Sequence, residues 1–450
     1  MSTYTKEQYK ARFEAIRFAE ERVKGCTRRE RIREYIPGQV IYNLGEYPAR
    51  FSIRPTEYDY HLIKDLSEKG VGLIQLHEEW NDSQRYLGAD KYTSHDPEGL
   101  RELIKLCHDF GIKVLPYIST GFFDWRDPDF RECFSTNGVH ELNGAYYRYR
   151  CCDAASPDWN AYLMPRLEKI LDDYEFDGLY NDMGYGCVGA PEFGYLEYDP
   201  YFEDILSRVY TMVKKRGGIV KIHQGACVAP KTHERVYDYL WVGECVRRAS
   251  DLLETARFDP YVIANPDYRF IEEKNADAFY AMVIPNMQFL LRADGRPVTG
   301  ERAFVPGVEY INNPGNNEQL HFESMRKWYV EHPDGPYAYS EWSDIPDNEE
   351  MRARWFDYLA LYRPMVKEDS LALLDLGENS ILEGAIPQGI YASLFVNEDV
   401  YLAVSNVGKE RQTITLCDEW IDRRTGNSVR SLDLAYGDLY FLKLPHKAEE

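Results

Sequence analysis

Tyr174 to Gly186 read YEFDGLYNDMGYG, a short apolar run that ends on Asp182 and is broken at once by glycines. A run of this length reads as a buried parallel strand whose last side chain faces a pocket. Upstream, Ser156 to Asp173 predicts a helix, with Pro157 at its first turn and Leu163, Leu167, Ile170 and Leu171 on one stripe. Helix, strand, acid is the order in which a parallel barrel displays a carboxylate at its mouth.

The same rhythm extends both ways. TEYDYHLIKDLSEKG predicts a helix closed by Gly70 before the strand VGLIQLHEEW, and DPEGLRELIKLCHDFG a helix closed by Gly111 before IKVLPYIS. YYRYRCCDA, IVKIHQG and YDYLWVGE predict further strands, with a helix from Tyr201 to Arg216 among them. So many alternations favour a closed (β/α)8 TIM barrel over an open sheet. Six strands follow from the pattern; PYVIAN, DAFYAMVIP and PGVEYINNP, all within 258–345, compete for the last two.

Residues 4–34 predict one charged amphipathic helix, so 1–55 reads as an N-terminal helical extension leading into a barrel of residues 56–368. RARWFDYLALYRPMV predicts the closing helix. From 369 to 450 the alternation of IYASLFVNEDVYLAVSNVGKERQTITL predicts a C-terminal antiparallel β-sandwich.

A formal charge of −22 over 450 residues, with no sustained basic stripe, argues against nucleic acid or an anionic membrane as partner. Nine scattered Cys, with no CxxC, give neither a zinc knuckle nor a complete disulfide framework, and Cys151 and Cys152 read as small buried apolar residues. The N-terminal residues lack an apolar signal core and no stretch is long enough to span a bilayer, so a soluble cytoplasmic chain is expected. His77, His108, His223 and His233 have no ligand spacing, and neither a phosphate loop nor a GxSxG elbow is present. No metal or organic cofactor is expected, and aromatics at 14% of the chain suit a carbohydrate partner and make a homodimer plausible.

The residues that close each predicted strand are acids, amides and indoles. They are Glu78, Glu79 and Trp80; Tyr117, with Trp125 in its loop; Asp153; Asn181 and Asp182; His223 and Gln224; and Trp241 and Glu244. Such groups converging on one mouth describe a sugar pocket. Glycoside cleavage commonly needs two carboxyl groups flanking the bond, and Asp182 and Glu244 end the fourth and sixth predicted strands. Asp177, at the start of its strand, reads as a cap or ion-pair partner.

This layout, from the acid- and Trp-ended strand through DPEGLRELIKLCHDFGIKVLPY to SPDWNAYLMPRLEKILDDYEFDGLYNDM, resembles the α-galactosidase-type barrel glycoside hydrolases and their relatives. The resemblance implies a retaining α-glycosidase with Asp182 as nucleophile. The acid/base in that group is usually an Asp at the sixth strand end, where this chain has Glu244, and a neighbouring family whose acid is Glu is the other reading.

Each position has a plainer reading. Glu244 can pair with Arg247 or Arg248, only one of Glu78 and Glu79 can face the pocket, and Trp80 and Trp125 can be ordinary packing. Two rival functions stay open: a non-catalytic glycan-binding barrel, and a lyase or epimerase on an acidic sugar, with Arg247, Arg248 or Arg292 pairing a substrate carboxylate.

Overall fold

The computed structural model describes residues 4–44, 53–76, 80, 92–94, 96–124, 129–135, 149–182, 198–224, 232–242, 261–264, 275–296 and 349–445. Helix α1 (Lys6–Arg22) precedes β1 (Cys26–Arg31) and β2 (Gln39–Asn43). Then come α2 (Glu57–Glu68), β3 (Leu73–Leu76), α3 (Pro97–Asp109), β4 (Lys113–Ser119), β5 (Phe122–Asp124) and β6 (Tyr149–Cys151). Helix α4 (Pro157–Tyr174), β7 (Gly178–Asp182), α5 (Pro200–Lys215), β8 (Ile219–Gln224), β9 (Tyr239–Val242) and β10 (Val262–Ala264) follow. Helix α6 (Ala276–Val283), β11 (Phe289–Leu290), β12 (Arg292–Gly295) and α7 (Glu349–Tyr362) lead to six strands. These are β13 (Leu371–Leu376), β14 (Ile390–Val396), β15 (Val400–Asn406), β16 (Gln412–Asp422), β17 (Ser428–Leu434) and β18 (Leu439–Lys443).

The chain divides into two compact units. One comprises 39–241 and 291–351, the other 1–38, 242–290 and 352–450. In the first, neighbouring strands run β9-β8-β7-β4-β3-β2-β12. Pairing is parallel from β12 through β8, and the last strand, β12, returns to the first, β2. A parallel sheet whose last strand pairs with its first closes on itself, and the fold is a (β/α)8 barrel.

The local signals explain these elements. Thr56, Asp96, Ser156 and Asp199 cap α2, α3, α4 and α5 with side-chain oxygens on first-turn amides. Gly70 and Gly111 end α2 and α3 at φ of 98° and 72°, where a side chain would be strained. At Gly178 a Cβ would sit 1.8 Å from the Ile219 carbonyl oxygen, so only glycine lets β7 start this close to β8. Two acids then pin strand starts to their neighbours. Asp177 accepts from Val114 N and His108 Nε2, each at 2.8 Å, and Asp238 accepts from Val220 N at 2.8 Å and the Lys214 ammonium at 3.0 Å.

The second unit holds a seven-stranded sheet in the order β1-β13-β14-β15-β18-β16-β17, its described pairings antiparallel. Alternate residues from its strands, among them Leu373, Leu394, Leu402, Ile414, Leu432 and Leu442, meet in one core with Ala15 and Ala19 of α1, as in a sheet folded over itself into a sandwich.

Four sequence expectations change. The helix read over 4–34 stops at Arg22, because Gly25 and the alternation of CTRRER make β1 a strand on β13. YYRYRCCDA contributes β6, which forms a hairpin with β5 outside the barrel sheet. The first barrel strand is β2, QVIYN. DAFYAMVIP forms α6 and the turn after it, while the strand that closes the barrel is β12, whose Arg292 and Asp294 hide it from an apolar-run search. Of the candidates for the last two strands, PYVIAN supplies β10, and PGVEYINNP lies outside the described residues.

Closure is locked by a buried carboxylate. Asp59, fully buried on α2, takes hydrogen bonds from Tyr42 Oη (2.7 Å), Thr56 N (2.7 Å) and Arg296 Nε and Nη2 (2.9 and 2.8 Å). Arg296, just past β12, also donates to the Leu44 and Arg54 carbonyls. Burial alone would raise the Asp59 pKa, but Arg296, Tyr42 and Thr56 outweigh it and hold the carboxyl below its ordinary value. A depressed folded pKa gives stability that is present above the unfolded value of about 4 and is lost as pH falls through the folded one. Replacing Asp59 by Ala strands the guanidinium and should cost about 3–5 kcal/mol in urea unfolding at pH 7. Adding Arg296→Met to Asp59→Ala should recover part of that loss, and the deficit of Asp59→Ala should shrink as the pH is lowered below 4.

Candidate active site

Strand register sorts the barrel side chains into layers. Tyr117, Tyr180 and Lys221 are register partners on β4, β7 and β8, so they share one face. Two residues further on, Ser119, Asp182 and His223 form the next layer toward the strand ends. This is the C-terminal end of a parallel barrel, where ligands bind.

Asp182 is held by both oxygens. Tyr117 Oη donates to Oδ2 at 2.5 Å, and His223 Nδ1 lies 2.5 Å from Oδ1. Its side chain keeps 19% of its surface exposed, against 3% for His223, so the carboxylate is the accessible member of the pair. His223 stacks on Trp241, ring centroids 4.4 Å apart and planes 23° from parallel. Tyr180 packs between Trp241 (5.0 Å) and Tyr117 (5.7 Å). A fixed, ionisable carboxylate at a barrel mouth with aromatic walls can act as nucleophile or as base.

Tyr117, Asp182, His223 and Trp241 are therefore brought together. Asn181 is turned to the opposite face, buried, and bonded to Thr120 N at 3.1 Å and Thr120 Oγ1 at 3.0 Å, which fixes the backbone under Asp182. Trp80 is fully buried, donates to the Tyr117 carbonyl at 2.8 Å and packs edge-on against Tyr174 and Phe176. Asp153 is spent on the turn before α4, accepting from Ala155 N at 2.8 Å. Arg292 shares the face of its register partner Val40, which is opposite the Asp182 face, and lies 3.9 Å from Asp294. Cys152 is buried, and Asp177, just before β7, pairs with His108 and with the Val114 amide of the neighbouring β4. Glu78, Glu79, Trp125, Glu244, Arg247, Arg248 and the Gln224 side chain lie outside the described residues.

Sequence reading missed Lys221, Tyr180 and Gln39. Lys221 is fully buried in the barrel, its Nζ 3.4 Å from Gln39 Oε1 and 5.7 Å from the ring centroids of both Tyr180 and Trp241. Desolvation pushes its ammonium down to about 7. The signal was there: a lysine inside the apolar run IVKIHQ, two residues before His223 and so on the same face. Among the described residues no cluster of three His, Cys, Asp or Glu could hold a metal ion, and no helix is long and apolar enough to cross a membrane.

No family model and no curated protein matches the chain, but solved structures do. The chain is similar to a noncanonic maltogenic α-amylase, AmyB, from Thermotoga neapolitana, at TM-score 0.56 and 10% identity over 91% of this chain and 99% of that one. It is similar also to the trehalulose synthase MutB from Pseudomonas mesoacidophila, at TM-score 0.55 and 10% identity over 90% and 98%. The GH36 α-galactosidase AgaA from Geobacillus stearothermophilus gives 0.52 and 13% over 97% of this chain and 59% of that one. These likenesses establish the fold, and it is the one the sequence resemblance implied.

The placement of Trp80 separates it from the mouth. Trp80→Ala should lower unfolding free energy by about 3–5 kcal/mol, as for a large buried aromatic. Trp241→Phe, which keeps a ring beside His223, should cost less stability and instead weaken whatever ligand binds at the mouth; paired urea titrations and ligand titrations check both.

Proposed function

We propose that the chain is a glycosidase that cleaves an α-linked glycoside or small oligosaccharide with retention, using Asp182 as nucleophile. The observation that carries this is the Asp182 carboxylate, accessible at the strand ends and fixed by Tyr117 and His223. Solved structures with this fold include an α-amylase in complex with acarbose and an α-galactosidase in complex with stachyose. The barrel, read from the sequence as 56–368 but beginning at β2 (Gln39–Asn43), is the catalytic body in this reading, and we place its work in the cytoplasm on sugar already imported.

In the first step an Asp182 oxygen attacks the anomeric carbon as the bond to the leaving oxygen breaks, and an acid supplies the proton that oxygen needs. Glu244, after the sixth strand, is our candidate for that acid, with Glu78 or Glu79 as rivals. Tyr117 and His223 keep the nucleophile in one orientation, so little rearrangement is needed on approach to the transition state. Water, deprotonated by the same acid/base, then attacks the glycosyl ester and frees Asp182. Glu78, Glu79, Trp125, Gln224 and Trp241 are proposed to line the sugar site.

A second reading has an observation of its own. A carboxylate 2.5 Å from His Nδ1 is also how an imidazole is oriented for proton abstraction, as a lyase or epimerase would need. Arg292 does not serve it, because its strand turns it to the other face.

A panel of α- and β-linked nitrophenyl glycosides, with uronides and N-acetylhexosaminides included, tests the proposal. Wild type should release nitrophenol from an α-linked member, and Asp182→Asn should lose roughly 10³-fold or more in kcat. Equal turnover by both proteins would remove Asp182 from catalysis. Formation of an unsaturated uronide instead of free sugar would transfer the site to the lyase reading.

A further inference from the structure

The charged group beneath the site is not accounted for by cleavage chemistry. Lys221 is fully buried, and among the described residues no carboxylate pairs with its ammonium. A buried unpaired ammonium is costly, and a leucine or methionine would fill the space without that cost. Its surroundings show what it touches. The amine faces the rings of Tyr180 and Trp241 and the Gln39 amide oxygen. From there the contacts form a closed circuit. Trp241 stacks on His223, His223 bonds to Asp182, Asp182 bonds to Tyr117, and Tyr117 packs on Tyr180.

We infer that Lys221 is a positioning residue, whose ammonium holds Trp241 and Tyr180 in place by cation–π attraction and through Trp241 sets His223 against Asp182. It touches no substrate. The role rests on Asp182 being the working group of the site, whichever reaction it performs.

The circuit has a pH consequence. Desolvation brings Lys221 to about 7, so near neutrality the amine exists both with and without its proton. Only the ammonium is attracted to the ring faces, so the circuit is tight below about 7 and loosens above it. Among the described residues, the titratable groups on the same face are Tyr180 and Tyr117, Lys113 at the start of β4, Asp182 and His223, and Tyr239, two residues before Trp241 on its strand; Gln39, on β2, carries no charge.

The test is an NMR titration of the full chain labelled with ¹⁵N-histidine and ¹⁵N-lysine, with His223 assigned from a His223→Gln variant and Lys221 from Lys221→Met. In wild type the His223 ring shifts should show an inflection near 7 that coincides with the titration of Lys221 Nζ. In Lys221→Met the component of the His223 shift that follows Lys221 should vanish while the protein remains folded by circular dichroism. A wild-type His223 titration with no inflection at the Lys221 midpoint overturns the inference without need of any variant, and so does an unaltered curve in folded Lys221→Met. Neither readout needs a substrate, so silence across the glycoside panel would sink the glycosidase reading and leave this one standing. On any substrate the panel yields, Lys221→Met should lower kcat at least tenfold with KM changed less than twofold.

Discussion

Closing the parallel sheet is the constraint on which the rest depends. β12 must return to β2, and it does so as a strand that carries Arg292 and Asp294, with little apolar surface to draw it in. The Arg296–Asp59 lock supplies what that strand lacks, since one guanidinium ties the end of β12 to α2 and to the carbonyls of Leu44 and Arg54. An open sheet would leave the layer of Tyr117, Tyr180 and Lys221 facing water. Once closed, that layer is a floor, and the residues one step above it have only one direction to face.

The floor explains why Asp182 is held in one orientation. Aromatic rings under a carboxylate exclude water and fix geometry at small entropic cost, because each ring has only two torsions to hold. Asp182 draws its orientation from neighbours on two different strands, β4 and β8, so its position is set by the sheet and not by a loop. Asn181, facing the other way, anchors the same stretch of backbone to Thr120.

Much of this was legible in the sequence where a local rule and the tertiary fold agree. Capped helices ended by Gly70 and Gly111, and the run into Asp182, were readable because periodicity, cap and glycine all point one way. β2 was missed because no helix of the alternating series precedes it, and YYRYRCCDA was counted in its place. The two errors cancelled, so Asp182 still falls on the fourth barrel strand. Trp80 looked like a sugar platform from its place after a strand, but only packing could show that its ring turns outward onto Tyr174 and Phe176. Lys221 was visible as a charge in an apolar strand, yet its partners come from β2, β7 and β9, and no spacing rule joins those.

The measurement that tests the central claim most directly is covalent capture of the nucleophile. The protein would be incubated with an activated fluorosugar of the configuration it turns over, digested, and read by mass spectrometry. The account predicts one glycosyl adduct on the peptide containing Asp182, absent from Asp182→Asn. An adduct on another carboxylate, or none in a protein that turns over the parent glycoside, would contradict it.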